Sequence, residues 1–197
     1  MKSEQIYQFK ITLKDIKPPI WRRILIPANS TFWELHVAIQ DAMGWTDTHL
    51  HEFEVKGPDS GDTHRIGIPD DEFGRETLPG WKVKTAKYCP TIGTSVDYMY
   101  DFGDGWEHKI KLEKILPREE GADYPDCIAG ERACPPEDCG GPDEYVELLE
   151  AISDENHEEH EEMLEWLGGG FDPEAFDPNA VTFTDAEERL KFILEDE

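Results

Sequence analysis

Hydrophobic and polar residues alternate along the first part of the chain, which is the period-two pattern of half-buried β-strands. The alternation covers residues 7–13, 49–56, 96–102 and 106–112, while β-branched and aromatic residues dominate 20–26. Gly103, Asp104 and Gly105 separate the two most regular of these segments. Because such residues favour tight turns, we predict a β-hairpin there.

The period changes to that of a helix in four places. Thr31 and Glu34 fit a capping box, which is followed by an apolar stripe at Leu35, Ala38, Ile39 and Ala42 and ends at Gly44. Similar stripes predict helices over 143–152, about 157–167, and from near 185. Residues 57–94 are predicted to be a long excursion with one strand at 64–68, and residues 117–142 a loop.

These elements predict an α+β fold with a mostly antiparallel sheet. The N-terminal order β-β-α-β suits a β-grasp-like unit with the helix across one face of the sheet. We place a boundary near Pro117, which divides the chain into a sheet domain (1–116) and an acidic subdomain of Cys loop and helices (117–197).

Charge is concentrated in the second part. The 197 residues carry 19 Lys and Arg against 45 Asp and Glu, a net charge of −26. Residues 1–116 hold 15 against 18 (−3), and residues 117–197 hold 4 against 27 (−23). A field of this sign repels phosphate, so we expect neither nucleic acid nor an anionic membrane surface as a partner. The start of the chain shows no apolar signal region, so a cytoplasmic location is expected.

Four stretches resemble a known family. They are Tyr-Asp-Phe-Gly-Asp-Gly-Trp-Glu-His at 100–108, Cys-Pro-Pro-Glu-Asp-Cys-Gly-Gly-Pro at 134–142, Trp-Leu-Gly-Gly-Gly-Phe-Asp-Pro-Glu at 166–174, and Pro-Ile-Trp-Arg-Arg at 19–23. With them the chain resembles the plasmid Ri open-reading-frame-three-like family, which includes passenger proteins of insertion elements. The resemblance implies a single α+β domain of unassigned function. A resolvase-like label sometimes given to the family implies DNA recombination, but this chain has no basic recognition helix.

The loop of the second part contains three cysteines. Cys127, Cys134 and Cys139 fall within 13 residues, and thiolates are good zinc ligands. A histidine would complete a tetrahedral site. The spacing differs from the usual Cys-x2-Cys, so buried free thiols, or one disulfide and a spare thiol, are the alternative.

The strands supply a second candidate site. His49 and His51 are two residues apart on one predicted strand, and Asp101 and His108 lie on the hairpin. Two histidines with a neighbouring carboxylate can hold a metal, and an open position on that metal permits hydrolysis. The alternative is that Asp101 and His108 simply pair across the hairpin. The sequence contains no nucleotide-binding or nucleophile-elbow motif.

The acidic second part suggests a partner of opposite charge. Residues 143–165 hold 11 Asp or Glu and no Lys or Arg, so this face is either solvated or docks a basic protein. We therefore predict an acidic binding or interaction module that could hold a structural metal, zinc being the candidate. The alternative is a small metal-dependent hydrolase.

Overall fold

The structure is a computed structural model that describes residues 4–58, 61–69 and 76–195. Eight strands of this described part form one sheet in the order β5-β4-β3-β6-β7-β1-β2-β8. Their bounds are β1 Gln5–Leu13, β2 Trp21–Pro27, β3 His51–Lys56, β4 Thr63–Gly67, β5 Thr77–Pro79, β6 Ser95–Tyr100, β7 Trp106–Pro117 and β8 Asp126–Glu131. The described strands pair antiparallel except β4 with β5, which confirms the predicted α+β class with a mostly antiparallel sheet.

The strand order differs from the β-grasp-like unit that the sequence suggested. In the structure β3 pairs with β4 and β6, so β6 and β7 lie between β3 and β1. The long hairpin of β6 and β7 occupies the place beside β1, because its twelve-residue second strand pairs with β1 along that strand's whole length. The β-grasp-like arrangement is therefore not confirmed.

The described helices are α1 Phe32–Met43, α2 Thr85–Tyr88, α3 Pro142–Ser153, α4 His160–Trp166 and α5 Ala186–Glu195. The capping box of α1 is confirmed, because Thr31 accepts from the Glu34 backbone while Glu34 accepts from the Thr31 backbone. Gly44 ends the helix with a φ of 97°, a conformation that glycine adopts without strain. No helix in the described ranges has the length and apolar character needed to cross a membrane.

Helix α1 covers one face of the sheet and completes the core. Phe9 and Ile11 of β1 and Ile110 of β7 are fully buried there, as are Leu35 and Ile39 of α1. Along β7 the buried positions alternate with Glu107, Lys109 and Lys111, which are exposed. The opposite face of the sheet therefore carries charged residues.

Two differences from the expected loops have physical reasons. Strand β8 lies inside the predicted loop 117–142 and pairs with β2 through its backbone. Its sequence, DCIAGE, has no alternation, because an edge strand needs little side-chain burial to keep its ladder. The excursion 57–94 contains the predicted strand at 64–68 as β4, and also β5 and α2. Its residues 59–60 and 70–75 lie outside the described part. The boundary at residue 117 stays a prediction, although β8 joins the same sheet as residues 1–116.

Candidate functional site

Three loops meet at one end of β3 and β6. They are residues 44–50 after α1, residues 101–105 between β6 and β7, and residues 132–141 between β8 and α3. Trp45 Nε1 donates to the Pro135 carbonyl oxygen at 3.0 Å, and the Gly140 backbone N–H donates to Asp104 at 3.0 Å. Two of the stretches that carried the family resemblance, 100–108 and 134–142, are therefore in direct contact here.

Gly141 shows how closely these loops approach. A Cβ atom at this position would lie 2.5 Å from the carbonyl oxygen of Asp104, and the φ of Gly141 is +101°. Both facts require glycine, since no Cβ fits and the backbone is left-handed. The loop 132–141 is thus fixed against the hairpin turn by its shape as well as by hydrogen bonds.

A histidine and two carboxylates lie at this junction. His49 Nε2 is 3.0 Å from Asp138 Oδ1 and 3.6 Å from Asp101 Oδ2. One potential ligand atom of each residue lies within 4.8 Å of the other two. The side chain of Asp101 is 11% exposed, that of His49 31% and that of Asp138 70%, so water reaches the group from one side.

The backbone orients the Asp101 carboxylate. Its Oδ1 accepts from the backbone N–H groups of Gly103 at 2.8 Å and Asp104 at 3.4 Å, which leaves Oδ2 towards His49. Asp101 and Asp138 both have left-handed backbones, with φ of 54° and 57°. Aspartate tolerates that region better than most residues, so the turns select aspartate at both positions.

The junction is strongly anionic. Glu137 accepts from the Thr46 backbone at 2.7 Å and from the Tyr100 hydroxyl at 3.1 Å. Burial, followed by this interaction with Glu137, raises the pKa of Tyr100. In the described part of the chain, no Lys or Arg forms an ion pair with the four carboxylates of the junction, which are Asp101, Asp104, Glu137 and Asp138.

A second polar group is buried between α1 and the sheet. His36 Nε2 lies 2.8 Å from Asp47 Oδ1, and His36 Nδ1 lies 2.9 Å from the Tyr98 hydroxyl. Gln40 Nε2 donates to the same hydroxyl at 3.0 Å, and Arg189 donates to Asp47 Oδ2 at 2.8 Å. These hydrogen bonds are mutually consistent when the Tyr98 hydroxyl donates to His36 Nδ1 and accepts from Gln40, and when neutral His36 donates from Nε2 to Asp47. Burial lowers the pKa of His36 against the opposing effect of Asp47.

His51 stacks on His36 inside this group. The two ring centroids are 3.4 Å apart and the planes differ by 9°. His51 is 3% exposed, and neither ring nitrogen has a hydrogen-bond partner in the part of the chain that the structure describes. Burial lowers the pKa of His51 well below the usual value. His36, Asp47 and His51 also bring potential ligand atoms within 4.8 Å of one another. Because an imidazole lone pair lies in the ring plane, two stacked rings cannot both point at one ion, and the arrangement favours neutral imidazoles.

The structure brings together only two of the four residues of the predicted strand site. His49 lies before β3, in the loop, so its side chain and that of His51 do not share a strand face. His108 is fully buried, with Nδ1 3.0 Å from the Trp106 carbonyl oxygen, and its Nε2 has no hydrogen-bond partner among the described residues. Burial lowers the pKa of His108 to about 3. Of the four residues, the structure brings together His49 and Asp101.

The cysteines of the second part are free thiols in this structure. Cys127 is buried on β8, while Cys134 and Cys139 pack against the core. No three-ligand group among the described residues includes a cysteine. Burial raises the pKa of Cys139 to about 12 and also raises that of Cys134, which opposes the deprotonation that metal binding requires. A structural metal in this loop stays a prediction.

Sequence reasoning missed several residues of both groups. Asp138 lies in the run 134–142, in which the sequence indicates the cysteines, and not this carboxylate, as potential metal ligands. His36 and Gln40 are at i and i+4 beside the apolar stripe of α1, and this spacing was the available signal for a polar pair facing the sheet. Nothing in the local pattern around Asp47 indicated that it would meet His36.

Comparisons with known proteins agree with the resemblance seen in the sequence. Residues 5–180 match the family profile described as plasmid pRiA4b ORF-3-like protein. An uncharacterized protein of Sinorhizobium fredii is 40% identical over 164 residues, which are 83% of this chain and 81% of that protein. A crystal structure of a protein of unknown function from Methanosarcina mazei is 48% identical and has a TM-score of 0.85, covering 92% of this chain and 99% of that one.

Proposed function

This chain belongs to the plasmid pRiA4b ORF-3-like family, and we propose that it is a binding module that holds a divalent cation at His49, Asp101 and Asp138. The observation that carries the proposal is the meeting of these three potential ligands, from three separate loops, in an anionic junction without a described Lys or Arg partner. A cation there would neutralise the carboxylates and join the loops.

The spacing of the ligand atoms suits a small transition metal ion. Two ligands of a tetrahedral ion at a bond length of about 2.1 Å lie about 3.4 Å apart. The distances from His49 Nε2, 3.0 Å to Asp138 and 3.6 Å to Asp101, lie on either side of that value. One imidazole nitrogen with two carboxylate oxygens favours Zn²⁺ or Mn²⁺ over Ca²⁺, which takes six or more oxygen ligands.

Calorimetric titration of the metal-free protein with Zn²⁺ and with Mn²⁺ tests the proposal. We expect saturable binding of one ion, weakened at least about tenfold by Asp101→Asn or Asp138→Asn, since each substitution removes a charged ligand. The matched control is Asp126→Asn, which removes an exposed carboxylate of β8 and should leave the affinity unchanged. Absence of binding, or equal losses in the control and the site variants, would contradict the proposal.

A groove beside this site supports a basic protein as the partner of the module. It lies between α3 and α4, encloses about 250 Å³, and has an apolar lining of Leu148, Ala151, Met163 and Trp166. The rim is formed by Asp138, Glu144, Glu147 and Glu159. Trp166 is 49% exposed, and an exposed indole is a good contact for an arginine side chain.

Binding of an amphipathic Arg-Leu peptide, compared with its Glu-Leu counterpart, tests this partner chemistry. Glu144→Gln with Glu147→Gln removes two charges from the rim. Glu161→Gln with Glu162→Gln removes two from exposed positions of α4 outside the groove. If the groove is the binding site, only the rim variant should bind the Arg-Leu peptide more weakly. If both variants bind it equally weakly, the interaction depends only on the overall charge of the chain.

A metal-dependent hydrolase is the second candidate function. The observation that favours it is the exposure of His49 and Asp138, because a catalytic ion keeps a coordination position open to water. Turnover of p-nitrophenyl phosphate and p-nitrophenyl acetate by the Zn²⁺- and Mn²⁺-loaded protein is the measurement. Activity of the wild type that is lost in Asp101→Asn would support a hydrolase. Equal activity in the wild type and Asp101→Asn would refute catalysis at this site.

A further inference from the structure

The outer face of the sheet carries a basic patch on an otherwise acidic protein. Lys10 of β1 lies opposite Lys111 of β7, and Lys109 and Lys114 lie on the same strand as Lys111. The three lysines of β7 are exposed and form no ion pair within the described part of the chain. Lys10 stands over the Trp21 ring, 4.5 Å from its centroid. Because Lys109 lies opposite Asp97 of β6, the positive charge that the patch presents to solvent is that of Lys111 and Lys114.

A shallow concavity of about 720 Å³ adjoins the patch and includes Lys111 and Lys114 in its wall. Ile92 and Ile128 also line it and are 60% and 41% exposed, so apolar surface lies next to positive charge. Arg23 is in the same wall, but Glu113 accepts two hydrogen bonds from it, at 2.6 and 3.2 Å. The positive charge of the concavity that can contact a partner is therefore that of Lys111 and Lys114.

The complementary chemistry is present on α5. Phe192 is 70% exposed, the highest exposure among the large hydrophobic side chains that the structure describes. Glu188 and Glu195 stand four residues before and three residues after Phe192, so all three share one helical face. Helix α5 is held to the protein through Arg189, which pairs with Asp41 at 3.0 Å and Asp47 at 2.8 Å, and through the Trp33 indole, which donates to the Ala186 carbonyl oxygen at 2.6 Å.

We infer that α5 of one copy docks into this concavity of a second copy of the chain. Phe192 would lie between Ile92 and Ile128, with its two glutamates against Lys111 and Lys114. The net charge of −26 does not forbid this contact, because charges farther apart than about 8 Å are screened at physiological ionic strength while those in contact are not. The two surfaces differ, so the contact is head-to-tail and can add further copies.

Sedimentation velocity over a concentration series into the millimolar range tests the inference on the full chain. We expect the wild type to associate as concentration rises. Lys111→Glu with Lys114→Glu, and separately Phe192→Ala, should each weaken association at least about tenfold. Lys82→Glu with Lys87→Glu makes the same change in net charge at exposed positions away from the concavity, and should associate as the wild type does.

A charge exchange between two copies gives the sharper result. The Lys111→Glu, Lys114→Glu protein and a Glu188→Lys, Glu195→Lys protein should each associate weakly alone and more strongly when mixed. In the mixture the acidic α5 of the first meets the basic concavity of the second, and the basic α5 of the second meets the acidic concavity of the first. Urea unfolding of each variant verifies that it is folded. A wild type that stays monomeric over the whole series, a mixture without recovery, or a control as weak as the site variant would each overturn the inference.

Discussion

Removing His108 is predicted to reduce the loss of stability that the protein suffers in acid. This histidine is fully buried on β7, where its ring contacts Trp45 and Tyr98 and no described residue forms a hydrogen bond with its Nε2. Protonation would place a charge in the core, and burial lowers its pKa to about 3 from an ordinary value of 6.5. The perturbation is His108→Phe, which keeps an aromatic ring and removes the titrating group.

The sign and size of the effect follow from the two pKa values. Because the pKa of the folded protein is the lower one, the unfolded chain takes up this proton first as the pH falls. The free energy of unfolding therefore decreases from about pH 6.5 downwards, and the full loss is reached below about pH 3. One histidine with these values contributes a loss of about 2 kcal/mol between pH 7 and pH 5, and about 5 kcal/mol in all.

Urea unfolding of both proteins at pH 7 and pH 5 measures this difference. The wild type should lose about 2 kcal/mol more than His108→Phe over that interval, whatever the variant's stability at pH 7. His157→Gln controls for the loss of a histidine outside the core. Titration of the many carboxylates is common to all the proteins and cancels in the comparison. Equal losses in the wild type and His108→Phe would refute the argument that burial suppresses protonation of His108.

Two further predictions concern the loop junction and the acidic helices. Gly141→Ala should lower the free energy of unfolding by about 2 kcal/mol or more, since its Cβ would meet the Asp104 carbonyl oxygen at 2.5 Å. Gly121→Ala, at a φ of +81° with nothing within 4 Å, should show only backbone strain of about 1 kcal/mol, and equal effects would count against the close approach. Added NaCl at neutral pH should raise the melting temperature, because residues 143–165 hold 11 acidic and no basic residues whose repulsion salt screens. A flat or falling temperature would show that this repulsion does not limit stability.

The family and most secondary-structure elements could be predicted from the sequence because their signals are local. Alternation over 106–112 predicts β7, and the capping box at Thr31 with its apolar stripe predicts α1. Each pattern is the residue repeat of a single strand or helix that buries one face. It can therefore be recognised without knowing which elements lie next to it. Strand β8 could not be predicted in this way, because its pairing with β2 uses backbone groups that every residue carries.

The candidate site was decided by tertiary contacts. His49 and Asp138 are 89 residues apart, and their distance of 3.0 Å depends on how the loop 132–141 packs against the hairpin turn. His51 and His108 looked equally suitable as ligands in the sequence, but the strands direct both into the core, where desolvation favours neutral rings. Residue types and their periods set the elements of this protein, whereas a site requires side chains from separate loops to converge. That convergence is a property of the packed structure, because sequence spacing constrains distances only within an element.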